Sequence, residues 1–374
     1  VKANAAGLFP VVGIGASAGG LDAFLQLFLG LPATTGMGFV VIQHMDPSKE
    51  SLLAEILARS VRLPIVVAKD KMPIRPDRIH VIPPNTNMGI ADGRLRLFPR
   101  PLTQGPHLPV DFFFRSLSQD RKGQSIGVVL SGNGSDGTQG VRAIKAEGGI
   151  TFAQDERSAK YPGMPASATA SGCVDFVLPP EGIAGEIARV ARHPYVARRS
   201  EDPAHDRAME SEESIGRIFL LVREATGVDF AQYKPPTTMR RILRRMALNK
   251  IDDLKSYAVH LREHPEELSS LFQDFLINVT SFFRDPGVFE ALKAKVFPPL
   301  LENRAPSDAV RIWVPACSTG EEAYSIALGL LEAMEYGGAS VPFQIFATDI
   351  HESAMEVARA GIYPEGISQD VSPA

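Results

Sequence analysis

From Phe9 to about Pro180, short runs that are apolar on consecutive positions alternate with stretches of helical spacing. The runs fall at 10–14, 39–43, 64–67, 78–82, 125–130, 150–154 and 174–178. A strand that alternates apolar and polar residues hides one face, whereas a continuously apolar strand hides both, as in a parallel sheet covered by helices. The pattern therefore predicts an α/β domain with a doubly wound, mostly parallel sheet. Residues 94–110 carry several prolines and a Gly-Pro pair, which predicts an irregular excursion over the sheet. Between about 192 and 214 the chain turns charged and small, as a linker or polar helix start does. Helical spacing dominates from Ile215 to about Phe283, and strand, turn, helix and strand follow from Trp313 to Asp349. The expected division is an α/β domain over 9–190, a linker over 191–214, a small helical subdomain over 215–290, and a truncated Rossmann-like sheet over 291–374. No fixed-period repeat interrupts this order.

Composition narrows the class only a little. With 374 residues, 44% hydrophobic and 22% charged, the chain has the make-up of a globular protein with more than one core. A formal net charge of -4 supplies no broad positive field, which disfavours a nucleic-acid partner. The two cysteines, Cys173 and Cys317, fall in different expected domains, so a disulfide is not expected and a reducing, cytoplasmic location is. No apolar run reaches membrane-helix length, and Pro10, Gly13 and Gly15 break what could pass for a signal peptide. The chain begins with Val1 rather than methionine, as a fragment or processed chain does.

The first chemical signal is VVGIGASAGG at 11–20, a strand entering a glycine-rich turn. Gly13, Gly15 and Ala18 fit the dinucleotide fingerprint, while Gly15, Ser17 and Gly19 fit a serine nucleophile elbow. A dinucleotide site wants an acidic residue closing the second strand, but FVVIQHMD ends in Gln43 and His44. Neighbouring parallel strands place their carboxyl ends side by side, where His44 can take the proton of Ser17; a satisfied structural histidine is the competing explanation. The strand ending at Leu130 runs into SGNGSDGTQG, with Asp136 as its only acid. A carboxylate there can orient His44, although G-S-D-G also makes a plain Asx turn. Backbone amides of the two loops are candidates for an oxyanion hole.

The motifs GASAGG, QHM, LSGNGSDG and GMPASA with a following SGCVD resemble the catalytic domain of the chemotaxis protein-glutamate methylesterases, across most of 9–180. The resemblance implies a Ser17, His44, Asp136 triad and a hydrolase without cofactor or metal. Two features depart from that family. Asn133 stands where it usually has methionine, a position the resemblance links to the oxyanion hole through its own backbone N–H, and the chain opens directly on the catalytic sheet rather than on a receiver domain. Gly163, Met164 and Pro165 resemble the loop at the family's active-site mouth, though a tight turn before a helix at 166–171 explains them as well.

The segment RIWVPACSTGEEAYSIALGLLEAM reads as strand, small-residue loop and helix, the opening of a nucleotide-type cofactor site. FQIFATD then closes on Asp349, an acid suited to a ribose diol. Only Gly320 supports a glycine fingerprint, and Glu321 and Glu322 also suit an ordinary first helical turn. NVTSFFRD, ACSTGEEAYS and ATDIHESAMEVARAGIY resemble the chemotaxis receptor methyltransferases, which use S-adenosylmethionine. By position, the resemblance implies Asn278, Thr280 and Arg284 at the amino-acid end of that cofactor and Glu322 and Asp349 along the remainder. A helix-capping turn is the plainer account of 278–284. In MRRILRRMALNK, i, i+4 spacing gathers Arg240, Arg241, Arg244 and Arg245, either as a solvated face or, by resemblance, as a face for acidic receptor helices.

The expected function is a bifunctional signalling enzyme that hydrolyses glutamate γ-methyl esters on a methyl-accepting receptor or sensor protein and carries a fused methyltransferase. Sensor kinase domains are further candidate partners. The methyltransferase family continues for several more strands, so no methyl transfer is expected of these residues alone. A sensor-docking scaffold with vestigial sites and a dinucleotide-dependent oxidoreductase are the alternatives.

Overall fold

A computed structural model describes residues 9–43, 52–100, 107–197, 212–276, 280–302, 308–337, 341–363, 367 and 370–371. The chain divides into two compact units, Val1–Phe275 and Leu276–Ala374.

The first unit is built on seven parallel strands: β1 (Val11–Ala16), β2 (Gly38–Gln43), β3 (Ile65–Val67), β4 (Arg78–Val81), β7 (Ser125–Val129), β8 (Ile150–Gln154) and β9 (Phe176–Leu178), in the order β3-β4-β2-β1-β7-β8-β9. Strands β1, β7 and β8 are buried at every position, as their unbroken apolar runs demand. One face carries α3 (Pro109–Arg121), α4 (Thr138–Ala146) and α5 (Gly163–Ala170), whose Val110, Phe113, Phe114, Val141, Ile144 and Met164 join Val11, Val40 and Val129 in one core. On the other side α1 (Gly20–Gly30) packs beside α2 (Leu53–Ser60) and α6 (Pro180–Val190), with Phe28 edge-on to Phe39 at 5.9 Å.

The excursion expected at 94–110 is more regular than its prolines suggest. Thr86–Ala91 (β5) and Arg94–Pro99 (β6) form an antiparallel hairpin around Asp92 and Gly93, both at positive φ. Asp-Gly between apolar runs favours such a hairpin turn, and Pro99 ends the strand rather than forbidding it. Pro109 opens α3 at a first-turn position, where its missing N–H costs nothing. Residues 101–106 lie outside the described residues.

The expected linker is also partly structured. Pro194–Ala197 (α7) is helical and Tyr195 and Val196 are buried, while 198–211 lie outside the described residues. Four helices follow: α8 (Glu212–Thr226), α9 (Pro235–Leu248), α10 (Leu254–Glu263) and α11 (Pro265–Phe275). They close around Phe230, Phe275, Leu271 and Tyr257, and the Tyr257 hydroxyl donates to Glu267 at 2.7 Å.

The arginine-rich helix α9 is not a free face. Arg244 is 0% exposed and donates to the Gly149 carbonyl at 2.9 Å, to Asp274 at 2.6 Å and to Asp175. Arg241 donates to the carbonyls of Lys145 and Ala146, Arg245 pairs with Glu267, and Arg240 reaches Glu147 at 3.6 Å. Both the solvated face and the receptor face expected there give way to an internal contact. The i, i+4 spacing grouped the arginines correctly, but acids and carbonyls of the same chain meet them. Gly149 and Asp175 precede β8 and β9, so α9 grips the amino ends of the strands.

In the second unit, α12 (Pro286–Ala291), a π turn and α13 (Phe297–Leu301) precede β10 (Val310–Pro315), α14 (Glu321–Gly337), β11 (Phe343–Thr348) and α15 (Glu352–Ala360). The two strands pair in parallel, Val310 opposite Phe343 through Pro315 opposite Thr348. Phe297, Leu301, Val310, Leu330, Met334 and Val341 form its core, while Trp313 and Phe346 stand exposed.

Candidate active site

Ser17 follows β1 directly, at the carboxyl end of the sheet. Its N–H donates to the Ser131 carbonyl at 3.0 Å and its carbonyl accepts from Gly20 at 3.1 Å, so the turn is tied to the loop after β7 as well as to α1. Gly19 completes the turn at φ 72°, a conformation a side chain would strain. Gly13 and Gly15 have a different reason to be glycine. They lie within β1 beneath α3, where a Cβ on Gly15 would come within 2.3 Å of Val110 and one on Gly13 within 2.9 Å of Phe114. Close helix packing on the strand thus accounts for two glycines that the dinucleotide fingerprint would have claimed.

Gly132 is held as tightly. A Cβ there would approach the Met164 sulfur to 2.2 Å and the Ser17 Cβ to 2.9 Å. Met164 is fully buried within the first turn of α5, so Gly163 to Pro165 start that helix rather than forming a separate turn before 166–171. Ser131 binds the neighbouring loops together: its hydroxyl donates to the Ala18 carbonyl at 2.9 Å and accepts from the Tyr161 N–H at 3.0 Å, while its own N–H donates to Gln154 at 2.9 Å. Ser131 and Gln154 were not marked by sequence reasoning, which had only a serine in a glycine-rich loop and a glutamine at a strand end.

Asp136 is 2% exposed and does not make the plain Asx turn that G-S-D-G suggests. Its two oxygens accept from the Val110 N–H at 3.0 Å and the Asp111 N–H at 2.9 Å, capping α3 where Leu108 offers no side-chain acceptor. Asp111, buried beside it, accepts from Gly140 at 2.6 Å in the first turn of α4. Burial pushes both carboxyls above the ordinary carboxylate range, and the Asp111 charge adds to the rise at Asp136. The Gly137 N–H also bonds to this carboxylate, which leaves acceptor capacity for one further donor.

The ladder aligns the loop origins. Ala16 stands opposite Gln43 across β1 and β2, and Gly15 opposite Val129 across β1 and β7. Ser17, His44 and the Asp136 loop therefore follow three adjacent strands. His44 itself lies outside the described residues.

In the second unit the small-residue loop after β10 runs through positive φ at Ala316, Ser318 and Gly320. Asp349, at the end of β11, accepts from the Ser318 and His351 N–H groups, each at 2.8 Å. Phe283 N–H donates to the Ser325 hydroxyl at 3.0 Å, Phe282 meets Tyr363 edge-on at 5.0 Å, and the Tyr363 hydroxyl donates to the Thr319 carbonyl at 2.7 Å. Three separated segments, 282–283, 316–325 and 349–363, thus converge on one end of the strand pair. Thr280 is half-buried, Arg284 and Glu322 are exposed, and Asn278 lies outside the described residues. Glu321 is buried against the Thr319 hydroxyl, so of the two first-turn acids Glu322 is the one presented outward.

Comparison with known proteins assigns these segments to families. Residues 12–187 match the CheB methylesterase family, 213–276 the all-alpha domain of CheR methyltransferase, and 278–374 the SAM binding domain of CheR methyltransferase. The chain is a CheB methylesterase domain fused to CheR methyltransferase domains. A relative described as an uncharacterized 104.1 kDa protein in the hypE 3' region of Rhodobacter capsulatus is 39% identical over 85% of this chain and 35% of its own length. The protein-glutamate methylesterase/protein-glutamine glutaminase of group 3 operon of Rhizobium meliloti is 36% identical over 49% of this chain and 52% of its own. The chain thus spans about a third of the first relative and about half of the second. The crystal structure of the Thermotoga maritima CheB methylesterase catalytic domain is 29% identical, with a TM-score of 0.45 over 48% of this chain and 97% of that one.

The CheB domain holds the serine turn and the Asp136 loop, and the CheR all-alpha domain is the part that clamps the amino ends of β8 and β9. The CheR SAM binding domain holds the Asp349 loop. That loop fits a ligand rich in hydroxyls, because each Asp349 oxygen receives one backbone N–H and retains acceptor capacity on a half-exposed side chain. Among the described residues no helix is long and apolar enough to cross a membrane, and no cluster of His, Cys, Asp and Glu side chains is suited to a metal ion.

Proposed function

We propose that the CheB domain hydrolyses glutamate γ-methyl esters on a methyl-accepting receptor protein in the cytoplasm, with Ser17 as nucleophile, His44 as base and then acid, and Asp136 as the group that orients His44. The Ser17 oxygen attacks the ester carbonyl while its proton passes to His44, and collapse of the tetrahedral adduct expels methanol carrying that proton. Water, deprotonated by His44, then splits the acyl-enzyme to the glutamate carboxylate and free serine. The N–H groups of Ser17 and Gly132 are already committed to carbonyls, whereas those of Ala18, Gly19 and Asn133 donate to no described group, which leaves these three as the candidate oxyanion donors of the two loops. The carrying observation is the origin of the Ser17, His44 and Asp136 loops at adjacent strand ends, with the first and last tied through Ser131. Methanol release from a methylated receptor peptide tests it: Ser17→Ala abolishes release, and unchanged release overturns the assignment.

The fused CheR domains extend the same reading to binding of the methyl donor. Asn278, Thr280 and Arg284 would hold the amino-acid end of S-adenosylmethionine, and Glu322 and Asp349 the remainder, with Asp349 at the ribose. When bound, that cofactor supplies the methyl group. The residues of this chain would bind and orient it, and the buried Thr319 to Glu321 hydrogen bond fixes the loop that would face it.

A further inference from the structure

Asp136 and Asp111 exchange places as helix caps. Asp136 precedes α4 yet caps α3, while Asp111 belongs to α3 yet accepts from the first turn of α4. The helix starts they serve have no cap of their own, since Leu108 and Gly137 make no side-chain bond. The exchange locks two helix amino ends together and brings two carboxyl groups into one buried place, at 1% and 2% exposure. A single carboxylate at a helix amino end is favoured, but a second one close by in low dielectric opposes its charge.

We infer that Asp111 is a positioning residue of the esterase: its buried carboxyl aims the Asp136 carboxyl through the shared helix caps and, by its charge, sets the pH at which hydrolysis switches on. The inference rests on the triad reading above. Among the described residues the charged groups facing the pair are Asp111 from α3, Asp136 from the β7 to α4 loop, and Arg115 one turn along α3, whose charge favours ionised Asp111. From α4 only backbone N–H groups of Gly137, Gln139 and Gly140 face Asp111. An Asp111 anion opposes ionisation of Asp136 and, on the triad reading, favours the protonated form of the histidine that Asp136 orients. Both effects hold the acid limb of the rate profile at higher pH.

Asp111→Asn keeps an acceptor for Gly140 and removes the charge, and Asp111→Ser does the same with a shorter side chain. Both are expected to move the acid limb of kcat/KM for methanol release about one pH unit downward. A cap acting only on structure predicts a profile superimposable on the unsubstituted protein, and that result overturns the inference. Ser17→Ala is measured alongside. If it still releases methanol, the triad reading fails and this inference with it; if it does not while the Asn and Ser profiles stay unshifted, only the role of Asp111 fails. Should neither variant fold, infrared spectroscopy of the unsubstituted protein decides. A protonated-carboxyl band persisting above the ordinary carboxylate range supports the inference, and its absence overturns it.

Discussion

Replacing Arg244 by alanine tests whether the CheR all-alpha domain is an integral part of the esterase unit. The guanidinium is wholly buried and satisfies Asp175, Asp274 and the Gly149 carbonyl. Its removal leaves two buried carboxylates without their main partner, a change that costs about 3 to 5 kcal/mol. Lys145, at 3.9 Å from Asp175 and 3.8 Å from Asp274, remains to offset part of the charge, which places the expected loss near the lower end. For a unit of this size the melting temperature should fall by roughly 6 to 20 °C. Far-UV circular dichroism in urea or on heating is the suitable probe, because the only tryptophan, Trp313, lies in the second unit. The triple variant Arg244→Met, Asp175→Asn, Asp274→Asn removes the guanidinium and both carboxylates together, leaves only the partly exposed Lys145 charge, and should recover most of the loss. Since the clamp lies at the amino ends of the strands and the serine turn at the carboxyl ends, methanol release per folded molecule should change by less than about twofold. A stability loss below about 1 kcal/mol, or a large loss of rate in folded protein, would refute the reasoning.

Gly132→Ala places a methyl group against the Met164 sulfur and the Ser17 Cβ, and should lower kcat at least about tenfold while costing about 1 to 3 kcal/mol, read by methanol release and thermal melting. Asp349→Ala should weaken S-adenosylmethionine binding about tenfold or more in calorimetry, because it removes an acceptor and leaves the Ser318 and His351 N–H groups without their bonds. Burial alone would raise the Asp175 carboxyl, but Arg244 and Lys145 outweigh it and hold that carboxyl below its ordinary range. Its stabilisation is therefore present above about pH 4 and lost as pH falls through the lowered folded value. Asp175→Asn should flatten the acid side of the stability profile in urea titrations, and an unchanged slope would contradict the assignment.

The central strands of the first sheet were legible because burial on both faces leaves unbroken apolar runs, and the part-exposed edge strands β3 and β9 were legible from their short β-branched and aromatic runs. The hairpin at 86–99 was hidden because prolines drew attention away from Asp92-Gly93. Gly13 and Gly15 were ambiguous for a physical reason: glycine serves equally where a phosphate approaches and where a helix does, and only the position of α3 separates the cases. The arginines of α9 show the same limit, since spacing along a helix groups side chains but does not reveal that Asp175 and Asp274 meet them. Asp111 carried no signal beyond an acid in a first helical turn, and its meeting with Asp136 depends on two helices starting side by side.

The central claim is that Ser17 and His44 act as one unit. Steady-state methanol release by Ser17→Ala, His44→Ala and the double variant measures this directly. The account predicts that each single variant falls to the same residual rate as the double, because neither group works without the other. Losses that multiply, or a His44→Ala variant that keeps most of the activity, would contradict it.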